Sequence, residues 1–107
     1  RHCAYREIEG RHYAFRGTPI KVVEDLDHSC WLRLLDLRKI LVDLPNDTTL
    51  EQIELGNCRP LGPAKSLYWR DTSLLNWLGK ASAPRSLKFK QWLRREVICP
   101  AQHRQPH

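Results

Sequence analysis

The chain is 107 residues long, 41% hydrophobic and 28% charged, with a formal net charge of +6. That length accommodates one hydrophobic core and excludes two, since domains cluster near about 100 to 150 residues, and the composition excludes wholesale disorder. No apolar run approaches the roughly 18 to 20 residues that cross a bilayer, and no charged-then-apolar leader opens the sequence, so neither a membrane span nor secretion is expected, and a cytoplasmic location is.

Cys3, Cys30, Cys58 and Cys99 are scattered without a CxxC pair, which disfavours a zinc ribbon or a thioredoxin-type motif. Reduced thiols are expected, with Cys30 and Cys99 packing as small hydrophobes. The sequence holds no methionine, so the chain is expected to begin inside a longer product.

His12 to Asp25, HYAFRGTPIKVVED, has two short runs rich in aromatic and β-branched residues around Gly17, Thr18 and Pro19, and reads as a β-hairpin. After an acidic turn at Asp25, Asp27, His28 and Ser29, the run Cys30-Trp31-Leu32-Arg33 offers a third strand. Leu34, Leu37, Leu41 and Leu44 recur in steps of three and four, which predicts an amphipathic helix stopped by Pro45. Asn46 to Leu55 offers a short helix with Thr48 or Thr49 as N-cap and Glu51 or Gln52 three residues on. Gly56 to Pro63, with two glycines and two prolines, reads as a connecting loop.

Ser66 to Arg70 reads as a returning strand, after which Asp71 or Thr72 caps a helix through Leu74, Leu75 and Leu78 to about Gly79. Ser82 and Pro84 open a final helix that is expected to end before Pro100, and Ala101 to His107 reads as a frayed, disordered tail. The fold class that follows is α+β: a small antiparallel sheet, made of the N-terminal hairpin and one or two further strands, packed with three to four short helices of which the last is basic. One domain over residues 1–107 is expected, with its core at about 12–100.

Charge is uneven along the chain. Residues 1–79 hold 11 basic and 11 acidic residues, whereas residues 80–107 hold seven basic ones (Lys80, Arg85, Lys88, Lys90, Arg94, Arg95, Arg104) against Glu96 alone. Such asymmetry marks a surface for a polyanion or an acidic partner. Placing residues about 100° apart from Phe89 gathers Phe89, Trp92, Leu93, Glu96 and Val97 on an arc that packs on the sheet. The opposite arc holds Leu87, Lys88, Lys90, Gln91, Arg94, Arg95 and Ile98. Lysines and arginines commonly do no more than solvate a helix and favour its C-terminal end. Here the same face lacks the acidic residues that a merely solvated helix pairs at i,i+4. Leu87 and Ile98 are expected to be exposed between the cations, where they suit a second protomer, suit thymine methyls, or are unremarkable single aliphatics. Glu96, placed toward the apolar side, is expected to form a structural ion pair or a helix-terminus contact.

The segment Ser82 to Pro100, SAPRSLKFKQWLRREVICP, combines Ser82-x-Pro84 with Phe89, Trp92, Glu96-Val97 and Pro100. This is similar to the closing signature of Bro-N domains, in which a serine and a proline lead to F-x-x-W and then E-V-L-P. Upstream, SLYWRDTSLLNWL (Ser66 to Leu78) resembles the strand and leucine-rich helix before that signature. Phe15-x-Gly17, Ile20-x-Val22-Val23, Trp31 and Asp36 before Ile40-Leu41 resemble the family's opening hairpin, tryptophan strand and first helix. The resemblance spans roughly residues 12–100 and departs in the middle, where LPNDTTLEQIELGNCRPLGP replaces the family's glycine-tyrosine turn and basic segment. It implies a compact α+β domain of the phage or prophage antirepressor and viral-regulator kind, associated with DNA and not an enzyme. Relatives often carry a further C-terminal domain, so this chain is expected to be either a stand-alone version or one separated from it.

Two functions of different class follow. The first is a DNA-binding transcriptional regulator that sets Lys80, Arg85, Lys88, Lys90, Arg94 and Arg95 on the phosphates of duplex DNA, with Gln91 or an arginine placed to read purine edges. The second is an antirepressor that binds a repressor or host regulatory protein without DNA, through Leu87, Ile98 and the acidic Asp47 to Glu54. A homodimer, drawing on Leu87, Ile98 and Trp77, matches the two-fold symmetry of many DNA regulators. No GxSxG, HExxH, P-loop or dinucleotide fingerprint occurs, so no catalytic residues, cofactor or metal ligands are assigned; His2-Cys3 and His28-x-Cys30 lack the spaced partners of a zinc site.

Overall fold

The hairpin around Gly17 forms. In a computed structural model that describes residues 10–53, 56–80 and 83–103, β1 (Gly10–Phe15) and β2 (Thr18–Glu24) pair antiparallel with Phe15 opposite Thr18. Arg16 and Gly17 are left as a two-residue turn, and both have positive φ, 52° and 85°. A type I′ turn requires that pair of conformations because its twist then matches that of the strands. Glycine adopts it freely; an arginine there costs about 1 kcal/mol.

β3 (Cys30–Arg33) pairs with β2, and β5 (Ser66–Arg70) pairs with β3, both antiparallel. The segment expected to be a plain loop supplies β4 (Cys58–Leu61) on the far side of β5, so the sheet has five strands in the order β1-β2-β3-β5-β4. Proline cannot donate to a ladder, and Pro60 is tolerated because β4 is an edge. The fold is α+β.

Among the described residues, the first, second and last helices differ in detail from expectation. α1 (Leu34–Ile40) stops short of Leu44, since Leu41 turns extended (φ −109°, ψ 98°); Leu41 and Leu44 reach the core from the turn that follows. α2 (Asp47–Ile53) is capped by Asn46, whose Oδ1 accepts the Thr49 N–H at 2.8 Å, and not by a threonine. Asparagine is at least as good a cap as threonine and stands two to three residues earlier. α3 (Asp71–Lys80) begins where expected. The last helix starts as α4 (Pro84–Trp92), widens into a π-helical stretch over Leu93–Ile98 and continues as α5 (Cys99–His103). It passes Pro100 instead of ending there, and Ala101, expected in a frayed tail, is fully buried. Ser82, Glu54 and Arg104 lie outside the described residues.

One face of the sheet contributes Phe15, Ile20, Val22, Cys30, Leu32, Cys58 and Trp69 to a core completed by helical Leu37, Leu74, Phe89, Leu93 and Val97. Two buried carboxylates bind helices to strands. Asp36 of α1 accepts the Lys21 N–H at 2.8 Å and the Arg33 guanidinium, and Asp71 of α3 accepts the Cys30 N–H at 3.2 Å. The other face carries a separate cluster of Val23, Trp31 and Tyr68 with Leu61 against it. Among the described residues no helix is long and apolar enough to cross a membrane.

Candidate nucleic-acid interface

After the buried Ser86, the last helix encloses Phe89, Leu93, Val97 and Ala101 fully, each four positions after the one before. An α-helix turns about 400° in four residues, so such a stripe drifts by about 40° per step. The π-helical turns over Leu93–Ile98 unwind the helix and hold the stripe on the core. The same widening admits Pro100. In a regular helix its ring strikes the carbonyl four residues back; here the preceding Cys99 N–H already donates five residues back, to Arg94. π-Turns of this kind concentrate at functional sites.

Underwinding also re-sorts the surface. Residues four apart now align, so Leu87, Gln91, Arg95 and Cys99 face solvent opposite the core, and Cys99 is exposed instead of packed. Lys88 and Trp92 form one flank, while Lys90, Arg94 and Ile98 form the other. Ile98, expected in the open, packs partly against the core. Glu96, expected toward the apolar side, is exposed and pairs with its neighbour: Arg95 Nε donates to Oε2 at 2.9 Å, with half or more of each side chain in solvent. An exposed pair of this kind stabilises by about 0 to 1 kcal/mol.

Phe89 and Trp92 explain the F-x-x-W spacing. They stack on each other at 5.4 Å and 25°, and together they grip β1: Phe15 meets Phe89 edge-on at 5.2 Å and Trp92 at 5.4 Å, and Tyr13 meets Trp92 edge-on at 6.4 Å. Such aromatic contacts add roughly 0.5 to 1.5 kcal/mol each beyond the area they bury. The basic helix is thereby held rigidly beside the hairpin.

The structure divides the expected site residues. Lys88, Gln91 and Arg95 line one shallow groove between the helix and the hairpin, whose remaining walls are Ala14, Phe15, Arg16 and Trp92. Arg16 was not singled out in the sequence; its guanidinium sits 5.5 Å from the Phe15 ring centroid. Only its place at a hairpin tip, three-dimensionally beside a helix far along the chain, brings it into the site. Lys90 and Arg94 occupy the opposite flank, and the Lys90 ammonium lies close to Gly79 in the last turn of α3, where the helix dipole is negative. Lys80 ends that helix. Arg85 lines a different groove, with Ile40, Leu41, Val42, Asp43 and Trp77.

Within the hairpin groove the only carboxylate contact is that of Glu96 with Arg95 among the described residues. Lys88 and Arg16 form no ion pair among the described residues. Other cations are spoken for: Arg33 by Asp36 at 3.1 Å, Arg38 by Asp47, and Arg70 by Asp27 at 3.0 Å. Asp47, offered above as part of an acidic partner surface, is therefore engaged. Trp77, offered as a dimer contact, packs at 5.9 Å against Trp69. Leu87 remains 55% exposed. Comparisons with protein-family models, with curated proteins and with solved structures return no match.

Proposed function

We propose that this chain is a Bro-N-like DNA-binding regulator of the phage or prophage antirepressor type, acting in the cytoplasm, and that duplex DNA meets the cationic surface of its last helix. One observation carries the reading: Lys88, Gln91 and Arg95 stand together in one groove, Arg94 stands on the other flank of the same helix, and Glu96 is the single exposed carboxylate among them in the described residues. Phosphate contact is what such uncompensated charge is suited to, and Gln91, set between Lys88 and Arg95 in the groove, is placed to reach a base edge. Lys90 supports the same field from the far flank. Lys80 and Arg85 contribute at a distance, and Arg85 shares its groove with Asp43, which weakens its pull on a phosphate.

Fluorescence anisotropy with a labelled duplex over a salt series tests this. About four to five phosphate contacts give a log-log slope near −4. No binding at low salt, or a flat response, overturns the proposal.

A second reading has its own observation. Val42 is 82% exposed beside Ile40, Leu41 and Trp77 in the groove that Arg85 borders, an apolar surface fit for a repressor segment or a second protomer. Retention of a purified repressor on the nuclease-treated protein, lost on Val42→Asp, supports that alternative.

A further inference from the structure

The hairpin tip offers a contact that the charge pattern along the chain conceals. Residues 1–79 are neutral overall, yet Arg16 stands in the wall of the groove formed by Lys88, Gln91 and Arg95. Its backbone is left-handed at φ 52°. Asparagine, aspartate or glycine fills that turn position without cost, so the hairpin gains nothing from an arginine there, and a non-glycine residue held in this region points to a function for its side chain. The guanidinium of this exposed residue rests 5.5 Å from the Phe15 ring centroid, on the wall of the groove.

We infer that the interface is a two-element clamp, in which Arg16 from the hairpin and Lys88 and Arg95 from the helix bracket the sugar-phosphate backbone of one strand of duplex DNA. This rests on the DNA-binding reading above and adds a contact outside the basic quarter of the chain. The floor fits a backbone better than a stacked base. Phe15 is buried, and Trp92 is partly buried, with Phe89 stacked on it and Tyr13 and Phe15 at its edges. A base needs an open aromatic face to stack on, whereas a phosphodiester needs cations on both sides of a shallow trough, which the groove has. Holding those cations on two rigid elements lowers the ordering cost of binding.

The test sets stability and binding against each other. Arg16→Asn puts a favoured residue into the turn, so the midpoint of thermal unfolding should stay or rise. The same variant should bind a 20-base-pair duplex about 3- to 10-fold more weakly at low salt, with a log-log salt slope shallower by about 0.9, the signature of one lost phosphate contact. Arg16→Lys, which keeps the charge, should retain the slope. Lys39→Ala, which removes an exposed cation on α1 away from the groove, should leave the slope within error and so separates a contact from a loss of net charge. If the native chain binds with a steep slope and Arg16→Asn matches it in affinity and slope, the clamp is wrong while DNA binding stands. If Lys39→Ala reduces the slope as much as Arg16→Asn does, the clamp is likewise wrong. If the native chain does not bind duplex DNA at low salt, both fall.

Discussion

Arginine and aromatic residues meet twice in this molecule, on the sheet face away from the helices and in the groove beside the last helix, and the two meetings do different work. On the sheet, Arg59 lies 4.6 Å and Arg70 5.8 Å from the Trp31 ring centroid, and Trp31 is 1% exposed. Arg70 there donates to Asp27 and to Ser29 Oγ at 2.8 Å, while Arg33 serves Asp36. These cations lid a buried ring and bind loops to strands. In the groove, Arg16 rests on Phe15 but neither it nor Lys88 has a carboxylate among the described residues. An acidic partner marks Arg33 and Arg70 as structural, and its absence among the described residues leaves Arg16 and Lys88 open to a ligand, so the count of cations alone says little.

The first surface breaks most readily in its stability. Trp31→Ala removes a fully buried ring and should cost about 3 to 5 kcal/mol by urea unfolding, while the remaining folded protein keeps its DNA affinity. An equal fall in affinity per folded molecule would move the interface to the sheet face. The groove should respond in the reverse sense. Lys88→Ala with Arg95→Ala should weaken duplex binding by about 10- to 100-fold at low salt and shift stability by no more than about 0.5 kcal/mol, since both side chains are exposed. A smaller effect is expected at Arg70. Its loss removes two hydrogen bonds at the half-buried loop before β3 and should cost about 1 to 2 kcal/mol with no change in the salt slope of binding.

The sequence makes the elements legible and the groove only partly so. Alternation and turn chemistry suffice for β1 to β3, and periodic leucines suffice for α1, because both signals are local. β4 is hidden, since Pro60 argues against any strand except one at an edge, and edge position is a property of the finished sheet. The π-helical stretch misplaces Glu96 and Ile98 on a regular wheel, although its signal is present: Phe89, Leu93, Val97 and Ala101 recur every four residues, a period no regular α-helix keeps on one face. The basic character of the last helix is plain in composition, but the division of its cations between two flanks depends on how the helix docks between the hairpin and the end of α3. Arg16 carries no local mark beyond sitting beside Gly17. Its placement depends on Phe89 and Trp92 clasping Phe15 across more than seventy positions of chain, which is tertiary information.

The gentlest test separates two carboxylates near the tryptophan surface by the sign of their pH dependence. The Ser29 N–H bonded to Asp27 at 3.0 Å outweighs the opposing cost of burial and, with the Ser29 hydroxyl and Arg70, holds the Asp27 carboxyl below its usual 3.8. A depressed value means that the folded chain holds the charged form more tightly, so Asp27 stabilises above pH 3.8 and loses that contribution as pH falls through its folded value. Asp71 is the reverse. Burial pushes its carboxyl up, and the N–H groups of Cys30 and Thr72 only partly offset this. Its contribution is fullest below pH 3.8 and is lost as pH rises through the folded value. Asp27→Asn should therefore flatten the acid side of a plot of urea midpoint against pH. Asp71→Asn, destabilised throughout by a weaker bond to the buried Cys30 N–H, should close part of its gap to the native chain on going from acid to neutral pH. A gap at Asp71→Asn that widens toward neutral pH would mean that the buried carboxylate is stabilised as an anion, and that the arginines around Trp31 compensate it more fully than their bonds to Asp27 and Ser29 imply.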